Sequence, residues 1–176
     1  FRMKVYSPRV GAKVLLKVEN LANSSQNFEK EVTTTVANAP VTLTQANNFT
    51  GAVSLTTASG GNVQLVDGTG GLTLGTLSVG GTLTASSTAA GQILNLGTGS
   101  VAGAVTASTS NGAINQSGAL DMKGGLVSLT AGNGDINLGN SGNQIATIRI
   151  VSGEDVTLGS SRGLDFGSAA STVTGD

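Results

Sequence analysis

The sequence predicts an all-β fold, a parallel β-solenoid preceded by a short N-terminal β segment. Three observations carry that expectation: a spaced apolar repeat, a glycine-rich texture confined to one part of the chain, and almost no aromatic side chains. The repeat consists of apolar-x-apolar triplets. One set is Val53/Leu55, Leu72/Leu74, Leu94/Leu96, Ile136/Leu138 and Val156/Leu158. A second set lies between them: Val63/Leu65, Leu83/Ala85, Val105/Ala107, Val127/Leu129 and Ile148/Ile150. Neighbours within a set lie roughly 20 residues apart, the period of a chain that coils and stacks turn on turn. Two residues spaced by two along a strand point to the same side, so each triplet offers one apolar pair inward and one residue outward.

Composition supports a thin interior. Of 176 residues, 38% are apolar but only 3% aromatic, and there is no Trp. A thick globular core leans on aromatic side chains that each bury roughly 150–250 Å²; here Val, Leu, Ile and Ala must fill the interior. Charged residues are 11%, against a usual share of about 25%. With mean hydropathy +0.16 and net charge −1, the chain lacks the low hydropathy and high charge of disorder. Its solubility must come from Ser, Thr, Asn and Gly.

The texture changes near residue 46. Residues 1–46 carry one Gly, six Lys/Arg and three Glu; residues 47–176 carry 26 Gly, three Lys/Arg and seven Asp/Glu. The expected division is therefore 1–46, an N-terminal β segment, and 47–176, the solenoid, with Pro40 marking a break in any central strand. In the first segment Met3–Tyr6 and Lys13–Val18 alternate apolar and polar residues, and Val32–Val36 is β-branched, so all three read as strands. Leu21–Lys30 is polar and reads as a loop. The second segment reads as about six coils of ~20 residues, each with at least two strands. Gly60-Gly61, Gly68 to Gly71, Gly80-Gly81, Gly124-Gly125 and Gly132-Asn133-Gly134 mark the corners, with Asn62, Asp67, Asn133 and Asp135 beside them. Leu72, Leu74, Leu94, Ile114, Ile136, Leu138, Val156 and Leu158 are expected to form one interior column set.

Two resemblances follow from particular phrases. Asn47 to Thr56 (NNFTGAVSLT), Leu72 to Thr84 (LTLGTLSVGGTLT) and Gly112 to Leu120 (GAINQSGAL) resemble the shaft repeats of filamentous-haemagglutinin-like bacterial exoproteins and adhesins. That resemblance covers about three-quarters of the chain and implies a right-handed parallel β-helix within a larger secreted protein. Val5 to Glu19 and Glu31 to Ala39 are similar to the middle of a bacterial jelly-roll module that is generally taken as carbohydrate-binding. Only about 38 residues match, so the segment is expected to be a partial module or a cap on the first coil, and no sugar-binding residue is carried over.

Candidate chemistry is sparse. Without His or Cys, the commonest general base and all thiol chemistry are absent. Glu154, Asp155 and Asp165, with Arg149 and Arg162 nearby, are the acids and bases that a Ca²⁺-assisted lyase would align on one face, but they read better as solvated corner charges. Gly132-Asn133-Gly134-Asp135 resembles a Ca²⁺-binding nonapeptide, yet stands alone where such repeats come in tandem. The Thr33/Thr35, Thr42/Thr44 and Thr82/Thr84 pairs suggest an ice-binding face; the equivalents in the next coils are read as Val105/Ala107 and Val127/Leu129, which breaks the ladder. No Gly-Lys-Ser/Thr phosphate loop occurs, and the scattered aromatics give no stacking platform for nucleic acid. No apolar run approaches the ~20 residues of a membrane helix.

The expected role is therefore structural rather than enzymatic. It is an elongated shaft or fibre of a secreted or cell-surface bacterial adhesin or exoprotein, mediating attachment or self-association. The expected partners are other copies of itself or surface glycans, not nucleic acid or a membrane interior. No catalytic, cofactor or metal residue is assigned. The alternative is an extracellular carbohydrate-binding module, suggested by residues 1–39 alone.

Overall fold

The structure is a computed structural model that describes residues 13–20, 23–33 and 40–175. The chain divides into two compact units, Phe1–Ala39 and Pro40–Asp176.

In the first unit β1 (Lys13–Asn20) pairs antiparallel with β2 (Asn23–Thr33), in a register running from Lys13↔Thr33 to Glu19↔Asn27. The strand expected at Lys13–Val18 is present. Leu21–Lys30, expected as a loop, instead supplies most of β2 from Asn23 onward. Pairing along the whole of β1 overrides the polar, weakly strand-forming character of those residues. Val32 and Thr33 end β2, while Thr34–Val36 and the strand expected at Met3–Tyr6 lie outside the described residues.

The second unit is a parallel solenoid with three strand-bearing faces. Face 1 consists of β3 (Val41–Asn47), β5 (Val63–Asp67), β7 (Leu83–Ala90), β10 (Val105–Ser110), the end of β12 (Leu120–Thr130) and the end of β14 (Gln144–Ser152). Its register runs Val41↔Val63↔Leu83↔Val105↔Val127↔Ile148. Face 2 runs Leu72↔Leu94↔Ile114↔Ile136↔Val156, through the start of β6 (Leu72–Val79), β8 (Leu94–Asn95), β11 (Ile114–Asn115), β13 (Ile136–Leu138) and β15 (Val156–Leu158). Face 3 stacks β4 (Val53–Thr56), the end of β6, β9 (Thr98–Val101) and the starts of β12 and β14.

Successive partners are about 20–22 residues apart, and the six face 1 strands enclose about five turns. At ~4.8 Å per turn the stack is about 24 Å tall. Stacking begins at Val41, within the segment expected to be separate. Val41 and Leu43 pair with Val63 and Leu65 of the next turn.

The core is a single aliphatic cluster. From Val63/Leu65 to Ile148/Ile150, each face 1 turn contributes an inward pair such as Leu83/Ala85 or Val127/Leu129, all essentially inaccessible, while Leu43 of the first turn is exposed. Of the expected column, Leu72, Leu94, Ile114, Ile136 and Val156 are in register on face 2, with Leu138 stacked on Leu158, whereas Leu74 pairs with Val53. Val53/Leu55 does not belong to that column. Val53 pairs with Leu74 and Leu55 with Leu77, which places them on face 3. That third face (Leu77/Val79, Leu120/Met122, Ile145) has less regular spacing and completes each turn.

At the corner from face 3 to face 1 the chain passes over itself at van der Waals limits. A Cβ on Gly124 would lie 1.8 Å from the Ala102 carbonyl oxygen, and one on Gly80 2.1 Å from that of Ala58. Glycine is required there by the neighbouring turn rather than by its own dihedral.

Candidate functional site

Polar side chains occupy three settings in the solenoid: a column at one corner around buried Asp67 and Ser87, an amide cluster at another around buried Asn143, and ladders on the outside.

The first column closes the corner from face 1 to face 2. Asn47, Asp67, Ser87 and Thr109 occupy equivalent positions in four successive turns. Asn47 donates from Nδ2 to the carbonyls of Leu43 (3.0 Å), Gln45 (2.8 Å) and Val66 (3.0 Å), holding a bulge at the end of β3. Asp67 is fully buried and accepts three backbone N–H groups: Phe49 on Oδ2 (2.9 Å), Thr69 (3.0 Å) and Gly70 (2.9 Å) on Oδ1. Burial pushes this carboxyl up, but the N–H donors of Gly70, Phe49 and Thr69 together outweigh it and hold it below its ordinary value. Ser87 donates to the Gly70 carbonyl (2.9 Å), and Thr109 to that of Gly112. Asp67 was legible as a corner former from the adjacent Gly68-Thr69-Gly70-Gly71, and its place two residues after Leu65 on β5 turns it inward with Val63 and Leu65.

The second setting lies between faces 2 and 3. Asn143 is fully buried and forms a reciprocal amide pair with Gln116: its Nδ2 donates to Gln116 Oε1 (2.8 Å) and its Oδ1 accepts from Gln116 Nε2 (2.9 Å). The same Nδ2 donates to the carbonyls of Leu138 (3.0 Å) and Gly159 (3.2 Å), and Oδ1 accepts the Leu120 N–H (2.9 Å). One side chain thus ties together three turns. Sequence reading passed over Asn143, because an Asn in Ser141-Gly142-Asn143 looks like any loop residue. Among the described residues no buried side-chain N or O atom lacks a partner.

The outside carries ladders of hydroxyls and amides. Face 1 presents Thr42–Gln64–Thr84–Thr106–Ser128–Arg149 and, two residues on, Val66–Ser86–Ser108–Thr130. The Ser86 and Ser108 hydroxyls lie 2.8 Å apart. This corrects one expectation: the equivalents of Thr84 are Thr106 and Ser128, not Val105 and Val127. Matching Thr84 to the apolar triplets is a slip of one residue, and one residue moves a side chain from outside to inside. A hydroxyl ladder therefore runs for three turns, bounded by Gln64 and Arg149. Face 2 presents Thr73–Asn95–Asn115–Asn137–Thr157, with Asn137 donating to Asn115 Oδ1 (3.3 Å).

The acids singled out from sequence do not converge. Glu154 and Asp155 are exposed at the corner before β15, where the Asp155 N–H donates to Asp135 Oδ1 (3.3 Å). Asp165 lies beside Thr147, accepting the Gly167 N–H on Oδ1 (2.7 Å). Among the described residues no three acids are grouped to hold a metal ion. The Gly132-Asn133-Gly134-Asp135 phrase is a corner: the Gly132 N–H donates to Ser152 Oγ (3.0 Å) and the Asn133 N–H to Asn111 Oδ1 (3.1 Å).

Fold and buried polar columns together define a repeat protein, a parallel β-solenoid whose turns are fastened at their corners. The sequence profile of a family described as Repeats of unknown function (DUF5649) matches residues 21–56 and 86–152, more than half of the chain, and the chain belongs to that family. The first matched stretch runs across residues 40 and 47. Comparison with curated proteins and with solved structures returns no significant match.

Proposed function

We propose that this chain is a shaft segment of a secreted or cell-surface bacterial protein, an elongated scaffold that supports attachment or self-association. The observation that carries this reading is the continuity of the stack. Inward columns stay in register over about five turns, and every buried polar group found serves to close a corner. A one-dimensional stack of this kind lengthens by adding turns without redesign of its core. The fully buried Asp67 supports the same reading. A general base works best with a pKa near the operating pH, whereas this carboxylate is held low and committed to three backbone donors. Outside, the ladders are mostly uncharged and offer many weak hydrogen-bonding contacts, as suits adhesion by repetition.

The test is display of the chain on the surface of a non-adherent bacterium, beside an Ile136→Asp variant displayed at equal density. The reading predicts adhesion to surfaces or cell-to-cell aggregation for the native chain and its loss in the variant. A native chain that produces neither would refute attachment and self-association. Glycan binding that survives Ile136→Asp and vanishes only on removal of residues 1–39 would move the function to a carbohydrate-binding module.

A further inference from the structure

Asn111 is the only non-glycine residue with positive φ among the described residues, at 62°. It sits in the corner from face 1 to face 2, where the preceding turn uses Gly91 (φ 70°). Asn tolerates this left-handed conformation better than most residues. It is also followed by Gly112, and its side chain is exposed. One turn on, Asn133 is exposed and followed by Gly134. Asn133 does not share the positive φ of Asn111, and the two glycine amides differ as well. The Gly134 N–H donates to the Ala131 carbonyl (3.0 Å), whereas among the described residues no acceptor engages the Gly112 N–H.

We infer that Asn111-Gly112 is a site of spontaneous deamidation and isoaspartate formation, and that Asn133-Gly134 is protected by its engaged amide. The Gly112 nitrogen attacks Asn111 Cγ and loses its proton. The new N–Cγ bond forms as the Cγ–Nδ2 bond breaks, and ammonia leaves with that proton. Water then opens the cyclic imide at either carbonyl, giving aspartate or isoaspartate at position 111. A glycine without a Cβ presents the least hindered amide nitrogen for this step. Either product places a carboxylate where the amide was.

Isoaspartate also lengthens the backbone of the corner. This corner has no slack: a Cβ on Gly112 would lie 1.9 Å from the Gln92 carbonyl oxygen. The Asn111 carboxamide oxygen meanwhile holds the Asn133 N–H of the next turn. Conversion therefore disturbs the stack on both sides, and a solenoid that ages in this way loosens first at a defined turn.

The experiment incubates the whole chain at mildly alkaline pH and 37 °C and follows peptide masses with time, beside short unstructured peptides spanning each Asn-Gly pair. Expected is a gain of one mass unit at Asn111, several-fold faster than at Asn133, with a rate that rises with pH and a lower melting temperature for the converted fraction. The Asn111→Gly variant keeps the left-handed corner, and it should hold its melting temperature over the same incubation. An Asn111 that stays intact while its peptide converts, or an Asn133 that converts as fast as Asn111, would overturn the inference. So would an Asn111→Gly variant that loses melting temperature as the native chain does.

Discussion

Asp67 and Asn143 perform the same task at two different corners with opposite chemistry. Each is fully buried and gathers backbone groups from more than one turn. Asp67 uses ionisation: one carboxylate accepts three N–H groups and donates nothing. Asn143 uses a neutral amide that both donates and accepts, and it needs Gln116 to complete it. The first corner is thereby tied to proton concentration and the second is not. The comparison shows that a stack held mainly by aliphatic columns still depends on single polar residues to close its turns, because corner N–H and C=O groups have no strand partner.

A core substitution sets the scale against which both corners are measured. Ile136→Asp buries a charge in the face 2 column, and loss of about 4 kcal/mol or more is expected, read as collapse of the cooperative melt. Asn143→Ala should come next, at about 3 kcal/mol, because it strands the Leu120 N–H, two carbonyls and the Gln116 amide. Denaturant midpoints at neutral pH measure both. Gly124→Ala forces a Cβ against the Ala102 carbonyl and should cost about 2 kcal/mol, whereas alanine at the unconfined Gly70 should change the midpoint little.

Asp67→Asn should cost about 1–2 kcal/mol at pH 7, since an amide cannot accept all three N–H groups on two oxygens. Acid sharpens the contrast. Because the folded Asp67 carboxyl is held low, its contribution is fully present above the unfolded value of about 3.9 and is lost as pH falls through the lower folded value. Melting temperatures followed from pH 6 downward should therefore fall less steeply in Asp67→Asn than in the native chain. In Asn143→Ala the acid slope should match the native one. Equal slopes in all three proteins would mean that Asp67 does not carry the difference.

The inner columns were legible in the sequence because their signal is repetition. Val63/Leu65 through Ile148/Ile150 repeat at nearly constant spacing, and each pair lies where the spacing puts it. Face 3 was hidden because β6, β12 and β14 each turn between faces without a break, so Leu77 and Leu120 fall outside any regular triplet. β2 was hidden for a different reason: its residues gain strand character from β1 and have little of their own. The corner column was half legible. Glycines announce where the chain turns, and Asp67, two residues after Leu65, falls on the inward side of its strand; which way Asn143 faces depends on its register with neighbouring turns, which the local sequence does not encode. The same blindness to register misplaced the equivalents of Thr84.

In-register stacking aligns every column of the solenoid, and paired cysteines probe it in a chain that has no cysteine of its own. Thr84 and Thr106 are neighbours on the outside of face 1 in adjacent turns, while Val105 points inward. Cα atoms of stacked strands lie at about the 4.8 Å spacing, within the ~4.4–6.8 Å that a disulfide spans. The Thr84→Cys/Thr106→Cys variant should oxidise readily to an intramolecular disulfide with the native melt retained, and Thr84→Cys/Val105→Cys should not. Ready crosslinking of the Thr84/Val105 pair, with none for Thr84/Thr106, would contradict the register on which the whole solenoid rests.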